Sequence, residues 1–274
     1  MQLKYLTILV MILILSGCGG TSKRSVYYQD DGPPSTSADY SNIPDAVPRL
    51  EPKSRGGNPE SYVVFGKRYY VKDSSKGFVQ RGIASWYGKQ FHGRRTSSGE
   101  IYNMHAMTAA HKSLPLPTYA QVTNLKTGKQ IVVRINDRGP FHEGRIIDLS
   151  YAAAHKLGTA SNGTGLVEVR AIDPLTWDTE RKQSRHVAST KVVNPDAKIY
   201  LQLGAFSVRS NAEKLVVKTI GNAISGVFLS EDQTDFGNTI YRVRVGPLAS
   251  VDTADNMISL LLKNGFDDFH VVIE

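Results

Sequence analysis

The sequence predicts a mainly β protein, with a small closed β-barrel followed by a smaller α+β domain. Two patterns support this fold class. Between residues 80 and 173, short apolar segments alternate with turn residues and leave room for one short helix, which is typical of a small barrel. Residues 197–274 contain a repeated order of strand, helix and strand, which predicts a split βαβ sandwich. A chain of 274 residues is long enough for about two such domains.

The N-terminus has the pattern of an export signal. Lys4 precedes an apolar run over residues 5–15, which suits a signal peptide and is shorter than the ~20 residues that a membrane span needs. The run is followed by Ser16, Gly17 and Cys18, and Cys18 is the only cysteine in the chain. A disulfide within one chain is therefore impossible, and acylation is the obvious use of this thiol.

The letters LSGC at residues 15–18 resemble the bacterial lipobox. The resemblance implies that residues 1–17 are removed as a lipoprotein signal peptide and that acylated Cys18 anchors the protein in a lipid bilayer. Gly19 follows in place of Asp, which in lipoproteins of this kind implies sorting to the outer membrane, on the inner leaflet that faces the periplasm. An ordinary signal peptide with an incidental cysteine is the alternative.

Residues 18–60 are rich in Gly, Ser, Pro, Asp and Asn and show no sustained apolar period. This composition predicts a disordered tether. Residues 61–72 instead have the pattern of a β-hairpin, with Gly66 near its turn, and we expect this hairpin to pack on the edge of the main domain. The main domain is accordingly placed at residues 61–173.

Short runs of apolar residues predict the strands of this domain. They lie at 82–87, 119–124, 130–135 and 165–172, with a hairpin turn at 126–129. Residues 149–157 instead carry apolar residues at helical spacing. Ser150 is the expected N-cap of this helix and Gly158 its expected end.

The charge of the chain lies mainly in the barrel segment. The net charge is +8, and residues 76–173 hold 13 Lys and Arg against 6 Asp and Glu. Residues 197–274 hold 7 against 9. A basic protein suggests a polyanionic partner, but the Lys and Arg residues here are not interleaved with aromatic residues as on a nucleic-acid surface. No nucleic-acid partner is therefore expected.

Several motifs in the barrel segment resemble one family. They are GIASWYG at 82–88, TAAH at 108–111 and NDRGPF at 136–141, with TSSGE at 96–100 between the first two. Together and in this order they resemble the double-psi β-barrel of rare lipoprotein A (RlpA). The resemblance covers residues 80–173 and implies a six-stranded double-psi barrel.

Three acids in this segment stand where a cleft would place them. Glu100 follows a Ser98-Gly99 turn, and Asp137 and Asp148 each end an apolar run. Cleavage of a glycosidic bond needs a proton delivered to the leaving oxygen while positive charge develops on the sugar, so carboxyl groups flank the bond. The alternative for each acid taken alone is that it caps a turn or faces solvent.

The RlpA resemblance implies roles for some of these residues. It implies a lytic transglycosylase that cleaves the MurNAc–GlcNAc bond of peptidoglycan without water or cofactor and leaves a 1,6-anhydro-muramyl end. Catalysis then depends on Glu100, His111 and Asp137. We assign the proton transfers to Asp137, with Glu100 stabilising charge or sharing the acid–base role. His111 orients a carboxyl or binds substrate, or else simply caps a loop.

Further cleft residues are expected beside these three. In related barrels of the expansin type an Asp near position 148 lines the cleft, although Asp148 is equally placed to cap the helix that follows. Trp86 and Tyr87 are suited to stacking on sugar rings, or they belong to the core. Arg138 is suited to pairing with a substrate carboxylate or with one of the acids.

Other hydrolytic chemistries lack their signatures. Histidines are frequent in this segment, but they form no HExxH motif and no cysteine accompanies them, so no metal site is expected. They are His92, His105, His111, His142 and His155. The paired Asp-Ser/Thr-Gly signatures of an aspartic protease and the Gly-x-Ser-x-Gly elbow of a serine hydrolase are both missing.

The C-terminal repeat follows a short polar linker at 174–196. YLQLGAFS at 200–207 is echoed by YRVRVGPL at 241–248, and helices are expected at 211–220 and 253–264. This half resembles a SPOR domain, which binds peptidoglycan strands stripped of stem peptides. Strand alternation places four polar or aromatic residues on the open sheet face, and Phe206 completes the expected glycan-binding set. The four are Tyr200, Gln202, Arg242 and Arg244.

Two functions of different class follow from this organisation. In the first, the barrel is a lytic transglycosylase that the SPOR domain brings to denuded glycan at the division septum, where division-site proteins or amidases are its partners. In the second, the barrel has lost catalysis and the lipoprotein binds glycan as an envelope factor. Retention of the acids and of His111 favours the enzyme, although fold alone does not settle function.

Overall fold

The computed structural model describes residues 31–35, 38–177, 179, 196–234 and 237–274. The N-terminal part contains strands and one helix, at β1 Ser61–Val64, β2 Lys67–Tyr70, β3 Val79–Tyr87, β4 Thr108–His111, β5 Thr118–Asn124, β6 Gln130–Asp137, β7 Arg145–Ser150, α1 Tyr151–Leu157 and β8 Gly165–Ala171. The C-terminal part contains β9 Ile199–Phe206, α2 Arg209–Gly221, β10 Val227–Gln233, β11 Thr239–Leu248, α3 Val251–Lys263 and β12 His270–Ile273.

Six strands close into a barrel in the order β3-β7-β4-β6-β5-β8. The pairs β3/β7 and β4/β6 are parallel, whereas β4/β7, β5/β6, β5/β8 and β3/β8 are antiparallel. Alternation along β6 directs Ile131, Val133 and Ile135 into the interior, where each is at most 1% exposed. The predicted six-stranded barrel is confirmed.

The helix of the barrel begins two residues later than predicted. Strand β7 continues through Leu149 to Ser150, so α1 starts at Tyr151. The Ser150 hydroxyl accepts a hydrogen bond from the Ala153 N–H (3.1 Å), and Gly158 ends the helix with φ at 83°. Both predicted caps are confirmed, and Asp148 is a residue of β7 that does not cap the helix.

The hairpin predicted at 61–72 is also confirmed. Strands β1 and β2 pair antiparallel, with Tyr62 opposite Tyr69, and Gly66 lies in the turn with φ at 79°. The Tyr62 hydroxyl donates to the carbonyl oxygen of Lys112 (2.7 Å), which fixes the hairpin to the end of β4. The hairpin is therefore packed on the barrel as part of the same domain.

Residues 38–60, here called the strap, differ from the expected tether because they pack along the barrel. The Ala46 N–H donates to the carbonyl of Val132 (3.1 Å) and the Ser54 N–H to that of Leu116 (2.8 Å). Tyr40 is only 5% exposed. The strap is held by contacts with residues that are distant along the chain, so it does not need the regular apolar spacing of a helix or strand. Its composition taken alone therefore resembles that of a disordered segment.

The C-terminal domain has the predicted split βαβ arrangement. Its antiparallel sheet has the order β10-β11-β9-β12, and the helices α2 and α3 are packed against it. Leu201, Val243 and Val245 are fully buried in its core. This domain also contacts the barrel, because Ile83 packs into the same apolar cluster and the Arg145 guanidinium pairs with Asp255 on α3 (2.5 Å).

Two predictions fall partly or wholly outside the described residues. The signal peptide and Cys18 lie in the first 30 residues, and most of the predicted linker lies between 178 and 195. The start of that linker is described, and Trp177 packs there against Tyr119 and Ile172. Among the described helices, none has both the length and the apolar character that crossing a membrane requires.

Candidate active site

Two aspartates share one face of the barrel. Asp137 on β6 and Asp148 on β7 are both register partners of Ala110 on β4, which lies between them. On the far side of Asp148, Ser85 of β3 continues the row. Paired residues of adjacent strands point to the same face, and two strand spacings of ~4.8 Å set the Cα atoms of the aspartates about 10 Å apart. The row brings together two acids separated by a single small side chain.

An irregularity in β6 puts Asp137 on this face. Ala109 pairs with Ile135, but the next residue, Ala110, pairs with Asp137, so Asn136 is an extra residue in β6. Ile135 faces the interior and is fully buried. Because one extra residue reverses the side-chain alternation, Asp137 joins Ala110 on the outer face. Without the extra residue, Asn136 would take its place.

Three donors surround one oxygen of Asp137. The Oδ1 atom accepts from the Ser97 N–H (2.8 Å), the Ser97 hydroxyl (2.7 Å) and the Arg138 N–H (2.8 Å). A carboxyl group that accepts from so many donors is held in one orientation. The Asp137 side chain is therefore fixed with its second oxygen, Oδ2, left for other partners.

Asp148 has different surroundings. Its Oδ1 atom accepts one hydrogen bond, from the Ser85 hydroxyl (2.5 Å). Burial raises the pKa of Asp148 to about 6, although the Ser85 hydrogen bond and the nearby charges of Arg145 and Lys112 act in the opposite direction. The two aspartates therefore have different hydrogen-bond partners, and burial raises the pKa of Asp148.

Glu100 is held in place by several hydrogen bonds. Its carboxylate accepts two hydrogen bonds from Nη1 of Arg134 (2.7 and 2.8 Å) and one from the Asn136 amide (2.8 Å). Burial raises the pKa of Glu100, but the hydrogen bonds from Asn136 and Arg134 outweigh it, so the net pKa is lowered. Glu100 is an ionised carboxylate with fixed partners.

The loop at 96–100 connects Glu100 with Asp137. Ser97 donates to Asp137, while the Ser98 N–H donates to the carbonyl of Asn136 (3.3 Å) and Glu100 accepts from the Asn136 amide. The loop thus lies across the end of β6 and sets both acids against it. The structure therefore brings Glu100, Asp137 and Asp148 to the same end of the barrel.

Arg134 is shared between Glu100 and a residue of the strap. Its Nε and Nη2 atoms donate to Glu51 (3.1 and 2.8 Å), whose Oε1 atom also accepts from the Tyr119 hydroxyl (2.5 Å). The hydrogen bonds from Arg134 are the largest effect on Glu51 and lower its pKa to about 2. No sequence pattern indicates this contact, since Glu51 lies far from the barrel motifs along the chain.

His111 is placed beside the site but not in its open face. The residue is 2% exposed, and its Nδ1 atom accepts from the N–H groups of Ser113 (3.2 Å) and Leu114 (3.1 Å). Burial, with the charges of Arg138 and Lys112, lowers the pKa of His111 to about 3. The ring is therefore neutral at pH 7, with its proton on Nε2, which has no hydrogen-bond partner among the described residues.

Arg138 is committed to the backbone. Its guanidinium donates to the carbonyls of Gly57 (2.8 Å), His111 (3.1 Å) and Leu114 (2.5 Å), and to the Asn58 side chain (3.3 Å). These bonds tie the strap to the site, and they occupy the donors that were expected to pair with a carboxylate. Arg138 contacts Asp137 through its backbone N–H.

Trp86 and Tyr87 are packed into the domain. Trp86 joins the core cluster and donates its indole N–H to the carbonyl of Ala160 (3.2 Å). Tyr87 is 7% exposed and stacks on Tyr102 with ring centroids 4.0 Å apart. Of the two alternatives stated for these residues, the structure favours the core. Across the described ranges, no group of three His, Cys, Asp or Glu side chains is arranged to hold a metal ion.

The open sheet face of the C-terminal domain carries the four expected residues. Arg244 donates to Glu274 (2.7 Å) and to Gln202 (3.4 Å), and its guanidinium lies 6.0 Å from the Tyr200 ring centroid. Arg242 pairs with Asp232 (2.9 Å). An aromatic ring beside amide and guanidinium donors is the chemistry expected of a sugar-binding face.

Phe206 does not share this face. The register between β9 and β11 shifts between Val243 and Arg244, so Leu203 is an extra residue and the alternation after it is reversed. The Phe206 ring packs beside Gly204 with Leu215 of α2, within the domain core. Strand alternation alone does not reveal this bulge, so the expectation that Phe206 belongs to the glycan-binding face is wrong.

Comparison with known proteins gives matches over most of the chain. The family model described as "Lytic transglycolase" matches residues 79–170, and the model described as "SPOR domain" matches residues 195–272. The chain is 41% identical over 259 residues to the "Endolytic peptidoglycan transglycosylase RlpA" of Vibrio cholerae serotype O1, covering 94% of this chain and 93% of that protein.

Further relatives agree. The protein with the same name from Neisseria meningitidis serogroup A is 43% identical over 210 residues, which are 77% of this chain and 82% of the relative. Among solved structures, the chain is similar to the RlpA SPOR domain from Pseudomonas aeruginosa at 30% identity and a TM-score of 0.25, covering 27% of this chain and 96% of that one.

Proposed function

The chain belongs to the rare lipoprotein A family, and we propose that it is an endolytic lytic transglycosylase that cleaves the MurNAc–GlcNAc bonds of peptidoglycan. Curated relatives with this name cover most of the chain. The single observation that carries the proposal is the row of Asp137, Ala110 and Asp148, in which two carboxyl groups with different surroundings flank one small residue.

The reaction needs one proton donor and one proton acceptor. We assign the donor role to Asp148, because burial raises its pKa to about 6 and lets it hold a proton near neutral pH. It protonates the glycosidic oxygen as the bond from that oxygen to C1 of MurNAc breaks. This division of roles differs from the expectation that Asp137 carries both proton transfers.

Asp137 accepts the second proton. Its carboxylate, oriented by Ser97 and the Arg138 N–H, takes the proton of the C6 hydroxyl as that oxygen attacks C1. The products are a free GlcNAc 4-hydroxyl and a 1,6-anhydro-muramyl end, and no water is consumed. Glu100, ionised and fixed by Arg134 and Asn136, stabilises the positive charge that develops on the sugar.

His111 contacts this arrangement indirectly, through Arg138. Its ring is buried and neutral, and its backbone carbonyl accepts from Arg138, whose own N–H holds Asp137. We therefore propose a positioning role for His111. It keeps the end of β4 and the NDRGP segment in register with each other.

The remaining parts of the chain deliver the barrel to its substrate. We propose that the C-terminal domain binds glycan strands stripped of peptides through Tyr200, Gln202, Arg242 and Arg244, and so concentrates the enzyme at the septum. Acylation of Cys18 anchors the protein in the outer membrane, facing the periplasm. Division-site proteins or amidases, which make peptide-free glycan, are the expected partners.

Digestion of purified peptide-stripped strands tests the activity. Soluble protein lacking residues 1–18 is incubated with the strands, and the products are identified by mass spectrometry. We expect 1,6-anhydro-muramyl ends within the strands, reduced roughly 100-fold or more in Asp137→Asn and Asp148→Asn variants. Intact strands that still co-sediment with the protein would instead support a glycan-binding lipoprotein without catalysis.

A further inference from the structure

A cluster of aromatic side chains lies beside the catalytic row. Tyr62 and Tyr69 of the β1–β2 hairpin stack with ring centroids 5.4 Å apart, and Tyr69 meets Phe141 at 5.6 Å. Phe65, at the hairpin tip, meets Phe141 edge to face at 6.5 Å. The proposed mechanism uses none of these four rings, which are together called the aromatic platform.

Two hydrogen bonds and one ion pair fix the platform to the barrel. The Tyr62 hydroxyl donates to the Lys112 carbonyl (2.7 Å), and the Lys72 N–H donates to the Ser113 carbonyl (2.7 Å). Lys67 of β2 pairs with Glu143, two residues after Phe141 (3.1 Å). Because both the hairpin and the loop after β6 are anchored, the rings are held in a preformed arrangement, which lowers the entropy cost of binding a ligand.

The platform adjoins the reacting carboxyls. Gly139 marks the boundary, because a Cβ atom built on it would lie 3.8 Å from Oδ2 of Asp148 and 4.0 Å from the Phe141 ring. The ring of Phe141 and the proposed proton donor thus approach the same point. A sugar ring bound at Asp148 would therefore lie next to the aromatic platform.

The platform is partly open to solvent. Phe65 is 72% exposed, and Tyr62, Tyr69 and Phe141 are each half-buried. Charged groups border the rings, since Arg138 lies 5.9 Å from the Tyr62 ring centroid and Lys112 lies 5.9 Å from that of Tyr69. An apolar surface with polar groups at its edge matches a pyranose, which has an apolar C–H face and a rim of hydroxyls.

We propose that Phe65, Tyr69 and Phe141 form a glycan subsite that packs against the C–H face of a sugar ring next to the scissile bond. The inference rests on the proposed transglycosylase activity and adds a substrate contact to it. Trp86 and Tyr87, which the sequence suggested for this role, instead pack against the core, Trp86 partly buried and Tyr87 buried. The hairpin lies before the segment that the family model matches, at residues 79–170, so its contribution is not contained in that match.

The hairpin offers a matched pair of variants. Phe65→Ala removes the exposed ring of the platform, whereas Tyr70→Ala removes a ring that is 65% exposed on the same hairpin. Tyr70 is opposite Ser61 in the register and so points away from the face that Tyr62 and Tyr69 share. Both substitutions are at the surface, so neither is expected to alter the fold.

Cleavage kinetics on peptide-stripped strands test the subsite. We expect Phe65→Ala to raise KM about tenfold with kcat within about twofold of wild type, and Phe65→Trp to restore KM, while Tyr70→Ala behaves as wild type. Equal KM values for Phe65→Ala and Tyr70→Ala would overturn the subsite while the activity of the wild-type protein still stands.

A second measurement applies if the wild-type protein does not cleave the strands. The affinity of the same strands is then compared between Phe65→Ala and Tyr70→Ala proteins that both carry Tyr200→Ala, which weakens the contribution of the C-terminal domain. Weaker binding by the Phe65→Ala protein supports the subsite even though the transglycosylase proposal has failed. Equal binding by the two proteins rejects the subsite.

Discussion

Asp137 and Asp148 lie opposite the same residue, Ala110, one on each strand that flanks β4. The two residues occupy equivalent register positions on either side of β4, but their carboxyl groups have different hydrogen-bond partners. Three donors converge on one oxygen of Asp137, whereas Asp148 accepts from Ser85 in a buried setting. The chemical difference between the two acids therefore arises from the loops and strands around them and not from residue type.

The first prediction concerns the pH dependence of cleavage. If Asp148 donates the proton, kcat falls as the pH rises through about 6, because the protonated fraction of Asp148 is lost. The Ser85 hydroxyl lowers the pKa of Asp148, so Ser85→Ala should move this alkaline limb to higher pH, while Ser85→Thr, which keeps a hydroxyl, should leave it in place. Initial rates of wild type and both variants are measured between pH 4.5 and 8. An alkaline limb at the same pH in Ser85→Ala and wild type would argue against Asp148 as the donor.

The second prediction is that ionisation of the buried Asp148 carboxyl lowers the free energy of unfolding at neutral pH. Its folded-state pKa is raised above the unfolded value of ~4, so its stabilising contribution is complete below pH ~4 and is lost as the pH rises through about 6. Asp148→Asn, which cannot ionise, should be more stable than wild type at pH 8, on the order of 2 kcal/mol, and similar at pH 4. Urea unfolding at both pH values measures this difference. A variant less stable than wild type at pH 8 would contradict it.

The sequence predicted most of the fold because the strands carry local signals. Apolar alternation located β3, β5, β6 and β8, and Ser150 and Gly158 marked the helix. The extra residue at Asn136 leaves no such signal, although it decides which way Asp137 points. Register shifts of this kind depend on the neighbouring strand, and so sequence patterns alone do not reveal them.

The arrangement of the proposed site was predictable only in part. Acids at strand ends and turns are visible in the sequence, and the structure places Glu100, Asp137 and Asp148 at one end of the barrel. The contact of Glu51 with Arg134, and the hairpin rings beside Phe141, join segments that are distant along the chain. For His111 the sequence left three alternatives, which were orienting a carboxyl, binding substrate and capping a loop. The fold buries its ring, and Nδ1 accepts from the loop N–H groups of Ser113 and Leu114.

The third prediction concerns the strap. Arg134 lowers the pKa of Glu51 to about 2, so the stabilising contribution of Glu51 is complete above pH ~4.3 and is lost as the pH falls through about 2. Glu51→Gln should cost about 1 kcal/mol of unfolding free energy at pH 7 and less at pH 3, a modest figure because the pair is partly exposed. Glu60→Gln, at an exposed position of the same strap, is the control. Equal stabilities of the two variants at pH 7 would contradict a role for the ion pair.

The fourth prediction separates structure from chemistry at His111. His111→Ala leaves the Ser113 and Leu114 N–H groups without an acceptor and should cost about 2–4 kcal/mol of unfolding free energy. His111→Asn keeps an acceptor near Nδ1 and should cost less and retain more activity. Thermal unfolding and cleavage rates are measured together. Two variants that are equally inactive but as stable as wild type would show a direct catalytic role.

The fifth prediction distinguishes two aromatic residues of the C-terminal domain. Tyr200 lies on the open sheet face near Arg244, so Tyr200→Ala should weaken co-sedimentation with denuded peptidoglycan about tenfold without changing stability by more than about 0.5 kcal/mol. Phe206→Ala removes a ring from the core and should lower the unfolding free energy by about 2–3 kcal/mol. If Phe206→Ala weakens binding and Tyr200→Ala lowers the unfolding free energy instead, the glycan-binding face would be on the other side of the sheet.

Cleavage of peptide-stripped strands in water labelled with ¹⁸O tests the central claim most directly. In the proposed reaction the C6 hydroxyl attacks C1, Asp148 supplies the proton and no water enters the products. The account predicts anhydro-muramyl ends that contain no ¹⁸O in the wild-type digest and are lost in Asp148→Asn. Muramyl ends that carry one ¹⁸O atom would show hydrolysis by water and contradict it.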